Sequence, residues 1–233
     1  LLNTRDERTK YPRALAISDK EPETVSAATQ RLYPGTRIPE QDPDKKMKLF
    51  DAAAPPVQTF PRGWRVDGGT EWLGIWKQEV ERRGSAIRVS LPGQSRTNAE
   101  AERWNLEVQL QSAASLEHAG APVTFWSWAV RVFLFNYART FEETPLCLTP
   151  HRAMYGVESK RDLYVFGCEL QVHRDAKERD KFEGRSMQCC FVGYAGDGAV
   201  DALEIAPLKE DGTLRIHRTR DFQADRSSFP LRE

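Results

Sequence analysis

Two carboxylates carry the chemistry this sequence offers. Asp67 lies in RVDGGTEW, Arg65 to Trp72, at the end of a short stretch with strand character, and Gly68-Gly69 lets the chain turn tightly behind it. Glu102 follows 35 positions later in SLPGQSRTNAEAERWN, Ser90 to Asn105, just inside the start of a long amphipathic helix. A strand-end aspartate paired with a helix glutamate is how two-metal phosphoryl-transfer sites are built. Hard divalent cations take oxygen ligands, and two such ions stabilise the attacking and leaving oxygens of an in-line displacement. In isolation an ordinary solvated helix glutamate is the commoner explanation of such a residue.

The elements that must position these groups can be read from periodicity. A helix is expected from about Asn98 to His118, ended by Gly120 and Pro122. At 3.6 residues per turn Asn98, Glu102, Asn105 and Gln109 form a polar stripe beside an apolar stripe of Ala99, Leu106, Leu110 and Ala113. Glu102 then sits on the border, where it can face Asp67 across a solvent-accessible notch. Trp104 projects away from the apolar stripe, either as an exposed packing residue or as a contact surface. The segment 82–103 sets five arginines (Arg82, Arg83, Arg88, Arg96, Arg103) against Glu100 and Glu102, a net +3 beside the site. A phosphate backbone and a solvated charged face account for that charge equally well.

Composition bounds the rest. The 233 residues have room for one ordinary domain and a small one. With 39% hydrophobic and 29% charged residues the chain is of the folded, soluble kind. No apolar run approaches the ~20 residues of a membrane helix and there is no signal-peptide pattern, so no membrane partner and an intracellular location are expected. The formal charge of zero argues against wholesale non-specific nucleic-acid binding. Cys147, Cys168, Cys189 and Cys190 lack metal-ligand spacing and read as buried reduced thiols, and the four histidines are scattered, so no zinc site is expected.

Along the chain, Leu1 to Ile17 reads as two strands joined by a polar turn, and Glu21 to Leu32 as a short helix with Pro22 in its first turn. Six prolines and DPDKK make 33–61 a long surface loop. Arg62 to Val66 is a strand; a helix with Thr70 as N-cap runs from there to Arg83, Ile87 to Leu91 is a strand, and Pro92 to Thr97 is a loop. Thr124 to Arg139 is a strongly apolar, buried helix. Beyond Lys160 the pattern changes to short strands at Leu163 to His173, Met187 to Tyr194, Ala202 to Leu208 and Leu214 to Phe222.

The two carboxylate motifs resemble those of the DDE integrases of Copia-type retrotransposons. The family's Asp, two small residues, a variable position, Glu and an aromatic are matched by Asp67, Gly68, Gly69, Thr70, Glu71 and Trp72. Its second motif is matched by Ser90, Pro92, Asn98, Ala101, Glu102, Arg103 and Asn105. Phe125, Trp126 and Ala129, then TPLCLTPHRAMYG, fit later family runs, and VFGCELQVH, CCFVGYAG and IHRTRDF resemble the small Src-homology-like barrel that follows the integrase core. The family's Lys-Asn-Arg after the Ala-Glu-Arg triplet is here Trp104-Asn105-Leu106, and Ala99 replaces its usual Gly.

The resemblance implies an α/β fold: a ribonuclease H-like mixed sheet with flanking helices over 1–156, carrying the 33–61 insertion, followed by a small β-barrel over 160–226. It implies that Asp67 and Glu102 are catalytic and bind metal, and that Arg96, Asn98, Arg103 and Asn105 contact nucleic acid or position the glutamate. Two Mg²⁺ or Mn²⁺ ions in the intact enzyme, double-stranded DNA as element ends and target, a homo-oligomer, and the nucleus as the place of integration are also implied. The family's first catalytic aspartate stands on a strand before the two that open this chain. The chain begins at Leu1 with its first Met at Met47, so an N-terminally truncated fragment with its first sheet strand missing is expected, inactive on its own. The competing reading is a non-catalytic remnant serving at most as a DNA-binding or scaffold module.

Overall fold

The computed structural model describes residues 1–34, 60–90, 99–142, 147–174, 184–198, 201–208 and 216–232. The chain divides into two compact units, Leu1–Leu106 with Ala138–Ser159, and Glu107–Tyr137 with Lys160–Glu233. Arg96, Asn98 and most of the 33–61 insertion lie outside the described residues.

In the first unit β1 (Leu2–Arg5) pairs antiparallel with β2 (Pro12–Leu15), and the turn between them is closed by Asp6, whose Oδ1 accepts from the Thr9 backbone N–H at 2.6 Å. A second pair, β3 (Gly63–Val66) and β4 (Ala86–Val89), is parallel. Parallel neighbours require a crossover, and helix α2 (Ile75–Arg82) supplies it. Helix α1 (Pro22–Leu32) carries Pro22 in its first turn, where the missing N–H costs nothing. These elements close over Leu2, Val25, Phe60, Val66, Trp76 and Val80. Trp76 is fully buried, and its indole N–H reaches the Thr29 hydroxyl of α1 at 3.0 Å.

The helix expected from Thr70 begins instead at Ile75. Thr70–Trp72 forms a separate 3₁₀ turn, and Gly74, at φ +61, breaks the chain between the two. Helix α3 (Ala99–Ala119) has the expected extent but covers the opposite face from the one the apolar stripe suggested. Trp104, Val108, Ser112 and Leu116 are buried at i, i+4, i+8 and i+12, whereas Leu106 and Leu110 are 54% and 57% exposed. The physical reason is tertiary: the first hairpin packs on the Trp104 side, where the Trp104 indole N–H donates to Asn3 Oδ1 at 3.3 Å and a large apolar ring leaves water. The Arg5 guanidinium also lies 4.3 Å above the Trp104 ring.

In the second unit an antiparallel sheet has the order β8-β7-β6-β5-β9, built from β5 (Glu169–His173), β6 (Ser186–Tyr194), β7 (Leu203–Pro207), β8 (His217–Thr219) and β9 (Phe222–Asp225). The single strand expected over Leu214 to Phe222 is thus two strands. The Thr219 hydroxyl accepts from the Asp221 N–H at 3.2 Å in the turn that separates them. These consecutive strands occupy opposite edges of the sheet. Flat, a five-stranded sheet would hold its edges ~19 Å apart at ~4.8 Å per strand. Three Cα steps span at most ~11 Å, so the sheet must curl until its edges approach.

Helix α4 (Trp126–Thr140) contributes Ala129 and Val132 to the core of this unit, and α5 (Pro150–Tyr155) returns to the first. Cys168, Cys189 and Cys190 are buried free thiols, and desolvation pushes them up to about 11, 11 and 12; Cys147 departs from expectation in being exposed. On β7, Glu204 is nearly buried yet accepts from Arg131 at 3.0 Å and Arg218 at 3.3 Å. Replacing Glu204 with Gln removes the charge that both guanidiniums share. Urea denaturation should show a loss of roughly 1–3 kcal/mol, and a change below ~0.5 kcal/mol would show that the triad adds nothing to folding.

Candidate functional site

Asp67 follows the last residue of β3, and its carboxylate is exposed. Its Oδ1 accepts from the Trp72 indole N–H at 2.6 Å and from the Gly69 backbone N–H at 3.3 Å. The 3₁₀ turn makes this geometry, carrying a residue five positions on back over the carboxylate.

Asp67 lies on the wall of a cavity of about 580 Å³. Asn3, Thr4 and Arg5 of β1 and all four residues of β3 line it, whereas no residue of β4 and only Arg13 of β2 do. The cavity therefore runs along the edges of β1 and β3 that their partner strands leave open. Two half-sheets face one slot. The buried indole N–H of Trp64, also on its wall, has no acceptor among the described residues.

The start of α3 forms another wall through Glu100, Ala101, Trp104 and Asn105. Besides the Arg5 guanidinium over Trp104, polar contacts hold it to the first hairpin. Asn3 Nδ2 donates to Asn105 Oδ1 at 3.0 Å, Trp104 Nε1 donates to Asn3 Oδ1 at 3.3 Å, and Lys10 pairs with Glu100 at 2.5 Å. The Lys10 hydrogen bond, ahead of the more distant Arg5 and Arg65, holds the Glu100 carboxyl below its ordinary range.

Of the residues singled out from sequence, Asp67 and Asn105 line this cavity together. Glu102 and Arg103 are exposed on α3 and are not among its lining residues. Sequence reasoning missed Asn3, Arg5, Lys10 and Glu100, because their roles depend on a hairpin and a helix meeting from about ninety or more positions apart. It also missed the bond from Trp72 to Asp67, for which the Asp-x-Gly turn was the available signal.

Asp67 has a carboxylate oxygen with no hydrogen bond among the described residues, the donor type a hard divalent cation takes, while Glu102, exposed on α3, does not line the same cavity. In number the set is short. Among the described residues no three His, Cys, Asp or Glu side chains form a metal-capable group.

The class this chain resembles in sequence is the polyprotein of retroelements. Its relatives are retrovirus-related Pol polyproteins of plant transposons. It is 28% identical over 171 residues to the Pol polyprotein from transposon RE1 of Arabidopsis thaliana and 28% identical over 169 residues to that from RE2, matching 71% of this chain in each case. To the Pol polyprotein from transposon TNT 1-94 of Nicotiana tabacum it is 29% identical over 160 residues, 67% of this chain. The chain spans only 11–12% of the length of these relatives. No family model matches. Among solved structures, a chain from the cryo-EM structure of the simian T-cell lymphotropic virus intasome in complex with PP2A regulatory subunit B56 gamma aligns over 94% of this chain and 70% of its own, at TM-score 0.49 and 8% identity. Among the described residues no helix is long and apolar enough to cross a membrane.

A pH test follows from the Lys10–Glu100 pair. A carboxyl held below its unfolded value contributes stability that is present above the unfolded pKa and is lost as pH falls through the folded one. The stability difference between wild type and Lys10→Met should therefore be present at neutral pH, vanish in acid below the ordinary glutamate range, and shrink with salt. A difference independent of pH would show that Lys10 acts by packing alone.

Proposed function

We propose that this chain is the integrase region of a Copia-type retrotransposon Pol polyprotein, taking part in DNA strand transfer and integration. The observation that carries the reading is the position of Asp67: it sits where β3 ends, on a cavity that the start of the helix bearing Glu102 also lines. The relatives' names support the polyprotein assignment. Residues 1–156 are read as an incomplete ribonuclease H-like core and 160–226 as the small barrel, whose closure the two-residue link between β8 and β9 supports. The slot between the open edges of β1 and β3 supports a sheet lacking one strand.

Within this reading Asp67 and Glu102 would hold the divalent ions, Mg²⁺ or Mn²⁺ and two in the intact enzyme, whose chemistry is to stabilise charge on the attacking and leaving oxygens at phosphorus. The chain's own residues orient those carboxylates and seat DNA. Asn105, bonded to Asn3, fixes the register of α3; Arg103, with Arg96 and Asn98, would contact the phosphates of element ends and target. A homo-oligomer working in the nucleus completes the proposal. The second reading is a non-catalytic remnant acting at most as a DNA-binding or scaffold module, and the exposed Leu106 and Leu110 beside Glu102 weigh towards the scaffold, because an apolar helix face grips phosphate poorly.

The chain as given should not join DNA ends even with Mn²⁺, since two carboxylates leave a two-ion site underligated and misplacement costs orders of magnitude in rate. A strand-transfer assay would compare it with a version extended upstream, each against Glu102→Gln. Glu102-dependent joining regained on extension supports a truncated enzyme. Joining by the unextended chain refutes the prediction, and none by either favours the remnant.

A further inference from the structure

Asp67 is an exposed carboxylate at a strand end, a position where the side chain would ordinarily sample several rotamers and present either oxygen. Here both of its hydrogen-bond donors, the Trp72 indole and the Gly69 amide, fall on Oδ1. Oδ2 has no hydrogen bond among the described residues. The indole is itself held in place. Trp72 packs edge-on against Trp76, with centroids 5.0 Å apart and planes at 70°, and Trp76 is fully buried and tied to Thr29. A path of contacts thus runs from the hydrophobic core through two indoles packed edge to face to one oxygen of one carboxylate.

From this geometry we propose that Trp72 is a positioning residue: its indole N–H fixes Asp67 through Oδ1 and leaves Oδ2 as the single oxygen available to a ligand at the cavity that Asp67 lines. The inference rests on the reading of Asp67 as a ligand-bearing carboxylate. Any aromatic ring could fill the space against Trp76. A phenylalanine supplies no donor there, so the indole nitrogen is the informative atom. Partners that orient a metal-binding carboxylate typically alter affinity roughly 10- to 100-fold when removed.

The test uses the ¹⁵N-labelled full chain. Among the indole N–H peaks, the one absent in Trp72→Phe belongs to Trp72. In Asp67→Ala that peak should move upfield while the Trp76 peak, bonded to Thr29, stays in place. Mn²⁺ alone is then titrated and the broadening of the Gly69 amide followed. Trp72→Phe should need about tenfold more Mn²⁺ than wild type, with the Trp76 peak unchanged as the check on folding, and Asp67→Ala should lose the effect. A Trp72 peak unmoved by Asp67→Ala overturns the proposal. So does a Trp72→Phe titration equal to wild type when Asp67→Ala abolishes broadening, and in that case the reading of Asp67 survives. Broadening that persists in Asp67→Ala refutes both. Should Trp72→Phe disturb the Trp76 peak, the indole shift in Asp67→Ala decides alone.

Discussion

A β-strand presents a row of backbone donors and acceptors along each edge, and a buried group left unmatched costs on the order of 1–3 kcal/mol. This constraint governs the first unit. β1 and β3 are each satisfied on one side by β2 and β4, and each turns its other side to the same slot. Everything around that slot reads as a device for holding two half-sheets in position: the Asn3–Asn105 and Trp104–Asn3 bonds, the Arg5 guanidinium over Trp104, the Lys10–Glu100 pair, and Arg65 reaching Glu7 at 3.3 Å. Asp67 is placed by the same constraint, because it stands where one of those edges ends.

Legibility from sequence followed the range of the forces involved. The end of β3 at Asp67 was readable because a short strand-like run ending in Val66 stops at Asp67 and two glycines. The extent of α3 was readable from its period and its terminal Gly120. Which face of α3 is covered was not readable, since Trp104, Val108 and Leu116 form one apolar stripe and Leu106, Leu110 and Ala113 another. Only the arrival of Arg5 and Asn3 from about a hundred residues away decides between them. The break at Gly74 escaped notice for a related reason: a glycine inside a helical pattern is tolerated or not according to what its neighbours must reach, and here Trp72 must reach Asp67.

The site illustrates how little of a charged group's behaviour is its own. Glu100 and Glu102 lie two positions apart on one helix and have opposite situations, one lining the cavity and clamped by Lys10, the other open to solvent. The family motif singles out the second. Glu100 and Lys10 instead secure the helix on which Glu102 stands, an indirect contribution that no motif built around one carboxylate would record.

The two-residue connection between β8 and β9 also bears on how the chain is made. β5 lies between β6 and β9, and its Leu170 is partnered with Ala224. Until a ribosome has released the segment around residue 225, that edge of the sheet has nothing to pair with. Until then β5, which begins beside the buried Cys168, is flanked by β6 alone. Contacts spanning more than fifty residues form slowly, because the chain must be closed into a loop before any of them stabilises it. Between the synthesis of β5 and the arrival of β9 that strand edge is open, the kind of unpaired edge that templates aggregation, and loss of β9 from Phe222 onward would leave it open for good.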